Sequence, residues 1–267
     1  MESQIIAAEE LAPDTGKPVS KLNLGRFGAG FIFFCIVFMM SGTIGSTVLL
    51  PARFNTLGIG QGETILGTMN SIGIIFALIS NVIFGALSDI TRSRFGKRTP
   101  WIVAGGFVTA AGYVLAFSSA SLAGIVAGWS IVQVGVNMMI APAVAVLSDR
   151  IPENVRGTFS SFYGGAMIVG QSAGTFLGSK FIDTMGVGFV IGAVLFAITG
   201  ILTIIIWPAE RSSKVGSAAD DTKANVKLSP AAIAKSFIPP TKNCRDFYLA
   251  LVGRLLLIFG GRNRDDR

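Results

Sequence analysis

The chain has 267 residues, of which 51% are apolar and only 14% charged, with a net charge of +7 and no histidine. So little charge excludes an ordinary soluble domain. The absence of histidine, with two unclustered cysteines (Cys35 and Cys244), excludes histidine general-base catalysis and zinc ligation. The cations fall between apolar runs, which makes membrane lipid their expected partner and argues against nucleic acid; no cofactor is expected.

Residues 1–25 are polar and read as an uncleaved cytoplasmic tail. Six runs then reach the roughly 20 apolar residues that a bilayer requires. They are about Phe27 to Leu50, Thr64 to Ser88, Trp101 to Ala120, Leu122 to Leu147, Thr158 to Ser179 and Val187 to Trp207. Lys17, Lys21 and Arg26 precede the first, Arg92 to Arg98 follow the second, Arg150 and Arg156 follow the fourth, and Arg211, Lys214, Lys223 and Lys227 follow the sixth. The opposite side has only Arg53 and Lys180, so the amino terminus is expected inside a cell membrane crossed many times. The expected fold is an all-α polytopic membrane protein, with a six-helix transmembrane bundle over residues 26–208.

Residues 209–245 turn polar and read as a cytoplasmic linker, with Ser229 and Pro230 opening a short surface helix through Phe237. Residues 246–267 begin a seventh apolar run near Phe247 that contains Arg254, is too short to span, and ends in RNRDDR. The expectation there is an incomplete seventh helix, the truncated start of a second half.

Between the second and third runs lies GALSDITRSRFGKRTPW, Gly85 to Trp101. Asp89 can accept hydrogen bonds from a helix N-terminus or pair with a cation, and Gly96 permits a tight reversal. Thr99 and Pro100 read as an N-cap and a first-turn proline, with Trp101 as an interfacial aromatic.

Gly85, Leu87, Ser88 and Asp89, followed by Arg94, Gly96, Lys97 and Arg98, resemble the loop signature of the major facilitator superfamily, and with Arg92 they form the expected gating motif. SDITRSRFGKRTPW looks like its sugar-carrying branches, the glycoside-pentoside-hexuronide cation symporters and the sucrose-type transporters. A second loop, APAVAVLSDRIPENVRGTFSSFYG, with Asp149, Arg150, Arg156 and Gly157, is similar to those branches after the fourth helix. The resemblance implies the amino-terminal half of a twelve-helix transporter whose loop aspartate steadies one state, with partners that include the second half. It also implies a small-molecule substrate, a sugar above all, and a coupling ion, proton or sodium.

No acid or base lies well inside the six runs, which puts sodium coupling by this half in doubt. Uncharged polarity remains. Asn70 and Asn81 lie eleven positions apart on the second helix, within about 20° of one direction. Trp129, Gln133 and Asn137 recur every four residues on the fourth, and Gln171 lies on the fifth. An aromatic face beside amides suits a sugar; the same amides also join transmembrane helices. Gly170, Gly174 and Gly178 read as close helix packing. The expected function is secondary active or facilitated transport of a sugar or glycoside by alternating access; the alternative is a non-transporting half that needs a second half. No catalytic or metal-binding group is expected, and an enzyme is the weakest reading.

Overall fold

The computed structural model describes residues 11–58 and 62–213, with 248–249 and 252–253 beyond them. Most of the expected linker, the short helix at Ser229 to Phe237, Cys244 and the RNRDDR end lie outside the described residues. Of the seventh run, only 248–249 and 252–253 are described, as helix, in a separate unit, Lys227–Arg267.

The first span is one long rod in three parts: α1 (Lys21–Thr43), a π-helical turn (Ile44–Leu49) and α2 (Leu50–Thr56). The remaining spans are α3 (Gly62–Ile90), α4 (Thr99–Ser118), α5 (Leu122–Arg150), α6 (Glu153–Ser179) and α7 (Met185–Ile206). Helices begin earlier or end later than the apolar runs, because charged residues at span ends, Lys21 and Arg150 among them, continue the backbone pattern into the interface. Ahead of them, Leu11–Ala12 (β1) and Lys17–Pro18 (β2) pair antiparallel as a small hairpin, the one β element among the described residues.

Among the described residues, five helices are long and apolar enough to cross a membrane: Lys21–Thr56, Ile65–Ile90, Thr99–Ser118, Leu122–Arg150 and Met185–Ile206. The exception is α6, which has the length but is rich in glycine and hydroxyl residues. Four of its hydroxyls are satisfied by the helix backbone itself. Ser160, Ser161, Ser172 and Thr175 each donate to the carbonyl four residues back at 3.0–3.1 Å, so none needs water at membrane depth.

Packing neighbours run in the order second, fourth, third, sixth, first and fifth span. The second and fifth spans therefore form the two ends of the series. Both leave broad apolar faces exposed, with Ile74, Ile75, Phe76, Leu78 and Ile79 on α3 and Ile168, Val169, Phe176 and Leu177 on α6.

Third and fourth spans meet backbone to backbone. A Cβ on Gly105 would lie 2.8 Å from the Gly135 carbonyl oxygen, and one on Gly112 would lie 2.9 Å from that of Gly128. In lipid there is no hydrophobic drive between helices, so such close contact supplies the attraction. Gly170, Gly174 and Gly178 do the same for the fifth span, facing the Ile36 and Met40 carbonyls and Val48 of the first.

Tyr113 occupies the centre. Its ring lies 5.4 Å from Phe196, 6.0 Å from Phe189 and 6.4 Å from Trp129. Its hydroxyl donates to the Ser41 carbonyl at 2.7 Å, one turn before the π segment, and Gly45 leaves room for the ring.

Gly135→Val forces apart the third and fourth spans and is expected to cost about 1–3 kcal/mol. Gly164→Ala, which meets no atom within 4 Å, is expected to be neutral. Thermal unfolding in detergent compares the two; equal midpoints would refute the close-packing account.

Candidate functional site

The basic loop folds around Arg98. This side chain is 7% exposed, and its guanidinium reaches Asp89 at 2.6 Å, Asp149 at 2.7 Å and the Ser88 hydroxyl. Burial alone would lower its pKa, but the Asp149 and then the Asp89 carboxylates outweigh that and raise it, so the group stays charged. Ser88 in turn donates to the Gly85 carbonyl at 2.8 Å. One side chain thus joins the end of the second span, the start of the third and the end of the fourth.

The expected helix cap is corrected by the structure. Thr99 lies inside α4, and Arg98 occupies the N-cap position with no side-chain cap bond. The acceptor comes instead from Glu210, just past the sixth span. Its carboxylate takes the backbone N–H groups of Lys97 at 2.8 Å, Arg98 at 3.1 Å and Thr99 at 3.1 Å, and the Thr99 hydroxyl at 3.1 Å. A negative charge at a helix N-terminus meets orphan donors and the positive end of the dipole. Asp89 does not take that role, since it pairs with Arg98. Gly96 turns the loop at φ +95°, and the Glu210 carboxylate fills the space a Cβ would need.

The chain after the sixth span also runs beside the loop. Ser213 donates its N–H to the Ser93 carbonyl at 3.0 Å, while its hydroxyl accepts from the Ser93 N–H at 2.8 Å. Trp101 donates from its indole to the Thr91 hydroxyl at 2.7 Å. Arg94 stacks over the exposed Phe95 at 4.6 Å. Arg92 and Lys97 also make further interactions.

The second loop closes against the same face. Arg150 donates to the Pro208 and Ala209 carbonyls at 3.1 Å each and lies 4.7 Å over the Phe27 ring. Arg156 donates to the Ser148 and Ile151 carbonyls at 3.2 Å, holding the turn between α5 and α6. Gly157 and Gly85 face open space.

Within the spans, the structure brings together four of the six expected polar residues. Asn81 on α3 donates to the Asn137 side-chain oxygen at 3.2 Å, and Asn137 donates to the Gln133 carbonyl at 2.9 Å. Trp129 is 6% exposed, and its buried indole N–H has no acceptor among the described residues. Gly73 of α3 covers it, with room for the Gln133 side chain 3.2 Å from where a Cβ would be. Asn70 and Gln171 are exposed on their helices, apart from this group.

Residues 30–261 match the Major Facilitator Superfamily. The chain belongs to that superfamily. It is also similar to an uncharacterized symporter of Synechocystis sp., 32% identical over 104 residues, which are 39% of this chain. The match spans 16% of that symporter's length.

Membership in a superfamily of membrane transporters makes the Arg98 cluster and the Trp129 group the two features to explain. Glu210 and Ser213 are the residues that sequence reasoning did not single out. The available signal was the acid in WPAER, directly after a span that ends on the basic side.

Glu210→Ala removes the acceptor for three N–H groups and is expected to cost about 1–2 kcal/mol, read as a lower unfolding midpoint in detergent. Arg98→Lys keeps the charge but loses the fork that serves Asp89, Asp149 and Ser88 together. A loss of about 2 kcal/mol is expected for it; an unaltered midpoint would show that the fork is not what joins the helices.

Proposed function

We propose that this protein carries a sugar or glycoside across the cell membrane, as a secondary or facilitated transporter working by alternating access. The observation that carries the reading is Trp129. A buried indole N–H without an acceptor among the described residues, beside Gln133 and the Asn81–Asn137 pair, is a donor and an aromatic ring of the kind that suits a hydroxylated ligand. Sugar C–H groups stack on the ring, and sugar hydroxyls satisfy the indole and the amides.

Access requires movement of the second span. Gly73 lies over the indole, and the side-chain hydrogen bond of Asn81 to Asn137 ties that span to the fourth. Asp89 at the end of the same span is tied by Arg98. On this reading the charge cluster is a gate on the cytoplasmic side, and the Arg98 contacts to Asp89 and Asp149 are what opening would break. The excess of cations on this face supports that orientation. The likeness to a relative named as a symporter favours coupling to an ion.

A second reading is that these six spans act only together with a further set. Asn70 and Gln171 are exposed on the two helices at the ends of the packing series, as polar side chains that no described helix covers. Such amides inside a membrane seek a protein partner or a water-filled path.

Uptake of labelled mono- and disaccharides into vesicles carrying this chain tests both. Saturable uptake is expected, with Trp129→Ala raising the half-saturating concentration at least about tenfold, or 1.4 kcal/mol. Saturable uptake that Trp129→Ala leaves unchanged would refute the site. No uptake by the chain alone, restored by a second six-helix half, would establish the second reading.

A further inference from the structure

We propose that the hairpin at residues 11–18 is a clip that holds the Arg98 cluster closed, and that its release favours opening on that face. This rests on reading the cluster as a gate. The hairpin is defined by its own turn. Thr15 and Gly16 donate to the Ala12 carbonyl at 3.3 and 2.8 Å, and Gly16 sits at φ +62°, where a side chain is strained. A lone two-stranded hairpin is not stable in water, so its order comes from what it docks on.

It docks on the end of the fourth span. The Asp14 N–H donates to the Asp149 carbonyl at 2.9 Å, and Ala12 is buried to 4% exposure. That carbonyl belongs to the last turn of α5, whose acceptors have no partner within the helix. The hairpin therefore caps a helix C-terminus from a distant part of the chain. Asp149 is also the residue whose carboxylate holds Arg98 at 2.7 Å. Its neighbour Arg150 lies 3.5 Å from the Asp14 carboxylate and donates to the carbonyls of Pro208 and Ala209, directly before Glu210. Both residues that hold the hairpin thus lead to the cluster.

The attachment is slender, which suits a releasable contact. Burial pushes the Asp14 carboxyl above its ordinary range, and Arg150 offsets only part of that. Among the described residues, the docked state rests on one backbone hydrogen bond, one ion pair at 3.5 Å and one buried methyl group. Pro13, Thr15, Gly16, Lys17 and Pro18 are exposed.

Hydrogen–deuterium exchange on the full chain in lipid vesicles tests the clip with two independent variants, Gly16→Val, which strains the turn, and Ala12→Arg, which cannot dock. Arg98→Ala serves as the reference that breaks the cluster directly. Both hairpin variants are expected to speed exchange of the amides at 97–99 and 148–151 by about tenfold, with residues 105–116 unchanged. If Arg98→Ala speeds those amides and neither hairpin variant does, the clip is refuted and the gate stands. If none of the three does, the cluster is not a latch and both readings fall.

Discussion

The close approach of the third and fourth spans sets the geometry on which the rest depends. Gly105 against Gly135 and Gly112 against Gly128 bring two antiparallel backbones into contact along their length. That contact fixes the spacing of the ends. Arg98 opens one helix and Asp149 closes the other, so the glycines deliver the guanidinium to the carboxylate at 2.7 Å. At the far end, Arg53 of the first span donates to the Ser119 carbonyl at 2.8 Å, in the turn between the same two helices. Bulkier residues at these positions would push Asp149 away from Arg98.

The six spans differ in how firmly they are held. The first, third, fourth and sixth enclose Tyr113 and Phe196, while the second and fifth are attached along one side. A helix attached along one side moves at lower cost than one gripped on two. The second span carries the features that join both candidate regions, Gly73 and Asn81 at the Trp129 group and Asp89 at the charge cluster. A displacement of this one helix is felt at both.

Six apolar stretches separated by loops of alternating charge made the helices legible in the sequence, because the bilayer imposes length and lack of charge at once. The ends were less legible, since a charged residue such as Lys21 or Arg150 continues a helix into the interface without any change of pattern. Among four cations in one loop, nothing in the sequence distinguishes the one that is buried. Arg98 gains that role from Asp149, fifty-one positions away, and its helix gains a cap from Glu210, more than a hundred away. Such pairings follow from the order in which helices pack. The helical stripes did set Trp129, Gln133 and Asn137 on one face of the fourth span, since side chains four apart share a face, but they did not show that Asn81 of the second span meets Asn137. Nor did they show that α3 carries Asn70 away from that group.

The π-helical turn at Ile44–Leu49 has a bearing on how this span tolerates change. Such a turn carries one residue more than an α-turn, so the part beyond it is out of step with the part before it by about 100°. Phe34 and Phe38 on one side and Phe54 on the other are all buried across that offset. Loss of a single residue from the turn would leave composition and length almost untouched. It would nonetheless swing Phe54 and Arg53 out of register with the third span. The first span is therefore expected to vary by substitution far more readily than by insertion or deletion.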